Sequence, residues 1–154
     1  MSFTYESTLY GANLPDYGRR LYKLICDEVT LRSETKTNCL VALACSGSSG
    51  CAIASAILCA VEGDGPDFVS VFVHKEEEGH HSSSIINELA LEQAQFIVFV
   101  DDFISQGYTF ERVESAARRN GASISFIALC HRRPSYYIDH RIKPMGMTIL
   151  YAEQ

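Results

Sequence analysis

Phe96-Ile-Val-Phe-Val-Asp-Asp-Phe-Ile-Ser-Gln-Gly-Tyr-Thr109 decides the fold. Five apolar residues with aromatic and β-branched side chains read as a buried strand. Two carboxylates follow at its end, and then a short loop in which Ser105, Gly107 and Thr109 are small or hydroxylated. The spacing from Thr109 to Asn120, closed by Gly121, predicts a helix directly after the loop. Exposed N–H groups at a helix start, flanked by hydroxyls, suit a phosphate monoester. Neighbours in an extended segment face opposite ways. Asp101 and Asp102 are therefore expected to grip a polyol from two sides, or to hold the waters of a Mg²⁺ ion, rather than form a close acid pair.

Outward from this stretch, apolar runs and helical patterns alternate. Asp16 to about Arg32 places Tyr17, Leu21, Leu24, Ile25 and Val29 at helical spacing behind Pro15. Cys39–Cys45 reads as a buried strand, Ser46–Gly50 as a loop, and Cys51–Val61 as a buried helix. Phe68–Val73 is a second strand, and Glu76–Ser84 is a polar loop. Ile85–Gln95 fits a short helix or a strand and turn. Ser123–Cys130 is a further strand, with Met147–Tyr151 as a candidate edge strand. The expected architecture is α/β and three-layered: a mainly parallel twisted sheet with helices on both faces. Ligands then gather at the carboxyl ends of the strands, where the loops 44–50, 74–84 and 101–109 all lie.

The 154 residues suit one domain with one core. A hydrophobic fraction of 47% with no long uncharged apolar stretch argues against a membrane span, and the first residues lack a secretory pattern, so the cytoplasm is expected. Six cysteines without CxxC pairing read as reduced core residues, not a zinc site or a disulfide scaffold. A net charge of −6 with no long basic run excludes general attraction to nucleic acid. Ser48 or Ser49 as an activated nucleophile lacks a His/Asp partner pattern. A phospho-receiver reading fails because the acidic pair comes late in the chain and no acceptor Asp follows.

The 96–109 segment resembles the phosphoribosyl-pyrophosphate (PRPP) motif of type I phosphoribosyltransferases: four hydrophobic residues, two acidic, two hydrophobic and a Thr/Gly loop. Gln106 and Tyr108 stand where small residues are more usual. The resemblance implies that Asp101 and Asp102 contact the ribose hydroxyls, with Mg²⁺ held through water. Ser105, Gln106, Gly107, Tyr108 and Thr109 would hold the 5′-phosphate. Cys45, Ser46, Gly47 and Ser48 stand at the family's pyrophosphate loop.

Phe72–His81 is similar to the orotate branch. Lys75 and Glu76 match its Lys-Glu pair and His80 its mobile-loop His; His74 replaces an Arg and Glu78 a Lys. His74 and Lys75 are thus implied at the pyrophosphate, and Lys75, His80 and Asp102 in catalysis. The implied activity is transfer of the phosphoribosyl group of PRPP to a nucleobase, orotate-like or other, in a homodimer. The alternative is a weakly active or inactive PRPP- or nucleotide-binding regulatory module. Arg132, Arg133, Arg141, Tyr136 and Tyr137 are candidate base contacts. Within the single domain 1–154, residues 1–37 are a candidate hood, 39–130 the core and 131–154 a C-terminal segment.

Overall fold

The computed structural model describes residues 11, 13–33, 39–75 and 85–153. Helix α1 (Leu14–Arg32) leads into strand β1 (Leu40–Cys45), helix α2 (Gly47–Cys59) and strand β2 (Asp67–Val73). A two-residue strand β3 (Ile85–Ile86) and a short helix α3 (Glu88–Gln93) precede β4 (Phe96–Asp101) and α4 (Tyr108–Arg119). Strand β5 (Phe126–Leu129), two helical turns across 138–145 and β6 (Ile149–Tyr151) complete the chain.

The strands form one six-stranded sheet in the order β3-β2-β1-β4-β5-β6. All pairs are parallel except β2 with β3. Alternation along the strands divides the core in two. Val41, Leu43, Val98, Val100 and Phe126 face α1 and α2, whereas Ala42, Ala44, Ile97, Phe99 and Ile127 face α4 and the C-terminal turns. The expected three-layer α/β sheet is therefore present. Close packing fixes the layers: a Cβ on Gly18 of α1 would sit 2.5 Å from the Ala56 carbonyl oxygen of α2.

Three boundaries differ from the sequence reading. The segment 46–50 is the first turn of α2 rather than a free loop, because Ser46 takes an extended N-cap conformation and Gly47, at φ +83°, turns the chain into the helix. Ile85–Gln95 resolves into both alternatives, an edge strand and a helix, hinged at Asn87 (φ 62°). Within the candidate hood, residues 14–32 are a helix whose Leu21, Ile25 and Val29 are sealed in the main core.

Chain order runs away from β1 in both directions, so β1 and β4 flank the point where the strand order reverses. In open parallel sheets that point, at the carboxyl ends, leaves a crevice between diverging connections. Cys45 ends β1 there and Asp101 ends β4.

Candidate functional site at the ends of β1 and β4

Asp101 and Asp102 are both buried, at 7% and 5% exposure. The Asp101 Oδ1 accepts the Asp102 N–H at 2.9 Å, and Asp102 Oδ1 accepts the Phe103 N–H at 2.9 Å. The Ser49 hydroxyl, in the first turn of α2, lies 3.1 Å from Asp101 Oδ1 and 3.5 Å from Asp102 Oδ1. The two carboxyls thus meet at one hydroxyl instead of facing apart. The reason is local: the strand ends at Asp101, so the two-residue alternation no longer governs Asp102. Burial, and then the neighbouring Asp102, push the Asp101 carboxyl up to about 8. Asp102 Oδ2 is buried with no hydrogen-bond partner among the described residues. An acceptor in that state marks a place for a donor or a cation.

Beyond the pair, Ile104 is buried and pins the loop, while Ser105 and Gln106 are exposed. Gly107 has φ +85°, and a Cβ there would lie 2.4 Å from the Tyr137 ring. Tyr137 packs on this glycine and near Phe110, at 6.1 Å between rings. It therefore supports the loop from beneath, which differs from the base contact considered for it. Ser135 reinforces this support by donating to the Ser105 carbonyl at 3.0 Å and accepting from the Ile138 N–H at 3.2 Å. The α4 backbone starts at Tyr108, whose side chain is 68% exposed. A cleft of about 320 Å³ lies over these residues, lined by Ser49, Asp101, Asp102, Ser105, Gly107 and Thr109 among others. A hollow of about 450 Å³ is larger but opens beside Cys39 and Pro66, where β1 and β2 begin, so it gathers no strand-end loop.

Across the crevice, a Cβ on Gly50 would meet the Val100 carbonyl oxygen at 3.1 Å, so α2 starts hard against β4. Ser46 donates to the Val73 carbonyl at 2.6 Å, joining the ends of β1 and β2. Arg112 of α4 donates to the Ser46 hydroxyl at 3.1 Å. Ser48 is exposed in the same turn. His74 follows β2 and meets Phe72 edge-on at 4.8 Å, with Lys75 exposed beside it. Cys45 enters by its place in the chain only, because its buried thiol donates toward the Val71 carbonyl (3.6 Å) and burial pushes it up to about 12. His80 and Glu78 lie outside the described residues.

The structure brings Ser46, Gly47 and Ser48 to the same sheet end as Asp101, Asp102 and residues 105–109, with His74 and Lys75 at the adjoining strand. Ser49 and Arg112 join them. Ser49 was legible only as an isolated hydroxyl, and Arg112 carried no sequence signal.

Arg132 stacks on Tyr151 at 4.1 Å, Arg133 lies over Phe103 at 5.7 Å, and Tyr136 stacks on His140 at 3.8 Å. Among the described residues no cluster of three or more His, Cys, Asp or Glu could hold a metal alone, and no helix is long and apolar enough to cross a membrane.

No family model matches the sequence, and no curated protein matches it. Solved structures do. Orotate phosphoribosyltransferase of Francisella tularensis superposes with a TM-score of 0.63 over 97% of this chain and 70% of its own, at 14% identity. The Mycobacterium tuberculosis orotate phosphoribosyltransferase in complex with PRPP gives 0.60 over 95% and 75%, also at 14%. The fold is that of the type I phosphoribosyltransferases. A phosphoribosyltransferase from Corynebacterium diphtheriae agrees, with a TM-score of 0.59 over 95% of this chain and 77% of its own, at 18% identity. At such identities the phosphoribosyltransferase fold is what the likeness carries.

Proposed function

We propose that this chain binds PRPP and transfers its phosphoribosyl group to a nitrogenous base, orotate-like or another nucleobase, with release of diphosphate. The observation that carries the reading is the cluster of buried Asp101 and Asp102 with Ser49, in which one Asp102 oxygen has no partner among the described residues, set beside a helix start at the switch point. Two carboxyls at the floor of the cleft suit two adjacent hydroxyls of a ribose. The N–H groups at the start of α4, with Ser105 and Thr109, suit the 5′-phosphate. Ser46–Ser48 at the start of α2, with His74 and Lys75, are assigned to the diphosphate. His80 stays assigned through the resemblance alone.

Mg²⁺ fits the donors present, because two adjacent carboxyls, one with an oxygen unpartnered among the described residues, would hold it through water. When bound, the ion neutralises charge on the diphosphate. In the reaction a base nitrogen bonds to C1′ as the C1′–O bond to diphosphate breaks. The electron pair leaves with the diphosphate, and any proton on the nitrogen passes to water. Charge grows on the leaving oxygens, so Lys75 beyond β2 and the open N–H groups at the start of α2 stabilise that state more than the ground state.

A second reading, a PRPP- or nucleotide-binding module of low activity, is favoured by Glu78, which places a carboxylate where the resemblance implies a Lys. Incubation with PRPP, Mg²⁺ and a panel of bases separates the two: diphosphate release identifies the transferase, and calorimetric binding without release identifies the module. Combined D101N and D102N should abolish PRPP binding while circular dichroism stays unchanged. Unaltered affinity would sink both readings.

A further inference from the structure

Arg112 presents an electrostatic imbalance. It sits on α4, half-buried, and its Nη1 donates to the hydroxyl of Ser46, the N-cap of α2. A helix N-terminus already carries positive potential from its open N–H groups, so a cation beside it is repelled. Such an arrangement is normally relieved by a carboxylate, and among the described residues no ion pair to Arg112 is present although the protein carries a net charge of −6. The one bond to Ser46 occupies one of five guanidinium N–H groups. Ser46 in turn is committed to the Val73 carbonyl, one residue before His74 and Lys75. Guanidinium, helix start and the end of β2 thus converge on one spot. The acid pair is held three residues further along the same turn by Ser49.

We propose that Arg112 is a diphosphate-binding residue: its fork takes the leaving group of PRPP at the α2 N-terminus. This rests on the PRPP reading above. An anion there relieves the repulsion between Arg112 and the helix end. A fork matched to paired phosphate oxygens also holds the diphosphate as charge develops on it. The 5′-phosphate, at residues 105–109 and the start of α4, makes no demand on this side chain.

The test is calorimetric titration of wild type, R112Q and R112K with inorganic pyrophosphate, ribose 5-phosphate and PRPP, each with Mg²⁺. R112Q is expected to weaken pyrophosphate and PRPP by about tenfold or more, the effect of losing charge-assisted bonds. Ribose 5-phosphate affinity should stay within about twofold. R112K, which keeps the charge and loses the fork, should show a smaller loss confined to the same two ligands, and it carries the test if R112Q does not fold. An equal loss for ribose 5-phosphate, or no loss for pyrophosphate, would overturn the assignment and leave Arg112 as a brace for Ser46. Wild type that binds neither ribose 5-phosphate nor PRPP would instead remove the phosphoribosyl reading itself.

Discussion

Replacing Asp101 with Asn should make the protein more stable at neutral pH and useless for PRPP. Asp101 Oδ1 accepts from the Asp102 N–H and from Ser49, and Asn keeps an oxygen at that place, so both bonds survive. What disappears is an ionisable group whose charged form is disfavoured by burial and by Asp102. Its carboxyl titrates near 3.8 when unfolded and is pushed up to about 8 when folded. Between those values the folded protein holds a proton that the unfolded chain has released. Stability is therefore fully present at low pH and declines as pH rises through the interval.

One unit is worth about 1.4 kcal/mol. Across about three units, from about pH 5 to pH 8, the full effect is about 4 kcal/mol, and about half of that if Asp102 shares the proton. Urea unfolding in the presence of EDTA reads this directly. At about pH 5 the wild-type and D101N midpoints should lie close together. By about pH 8 the variant should lead by about 1–2 M, given slopes of about 2 kcal/mol/M. Parallel profiles across this range, or a D101N protein weaker at pH 8, would refute the buried-pair account.

G107A should destabilise the chain by about 2–4 kcal/mol, because its φ is +85° and the new methyl would enter the Tyr137 ring; a denaturation midpoint within error of wild type would contradict the packing described. Y108A should change stability by less than about 0.5 kcal/mol and leave ribose 5-phosphate affinity nearly unchanged, since the ring is largely exposed; calorimetry checks it. G18A should cost about 1–3 kcal/mol through the 2.5 Å approach to Ala56 yet leave ligand affinity intact in the folded fraction, which a thermal melt and a titration together measure.

How far the sequence could be read depended on how local each signal was. Continuous apolar runs at 39–45 and 96–100 marked buried parallel strands, since such strands are covered on both faces. The loop order around Asp101, Gly107 and Thr109 was likewise local, so the part of the cleft proposed for ribose and phosphate could be placed before the fold. The first turn of α2 was misread as a loop because glycine and serine permit both, and only contact with β4 through Gly50 decides between them. The opposed orientation expected for Asp101 and Asp102 failed for a comparable reason. Where a strand ends is set by its partner strand, and β5 pairs only as far as Asp101, opposite Leu129. Tyr137 and Arg112 lay beyond local reasoning, being 30 and 66 residues from the Gly107 and Ser46 they touch.

The pattern of charge around α2 narrows what the crevice can accept. At one end of its first turn stands a cation with no carboxylate partner among the described residues, and three residues on stands a carboxyl pair with an oxygen unmatched among them. Both arrangements are costly in the free protein, and moving Arg112 onto the carboxyls would remove both costs at once. In the structure the two stay apart: Arg112 bonds Ser46, which is tied to Val73, while Ser49 bonds Asp101 and Gly50 lies against Val100, so the first turn of α2 stands between them. A ligand that satisfies both ends must offer an anion to the arginine and hydroxyls or a hydrated cation to the carboxyls. A lone phosphate meets only the first demand, and a free nucleoside only the second. A sugar carrying a diphosphate at its anomeric carbon meets both, which is why the separation held by α2 supports PRPP over either fragment.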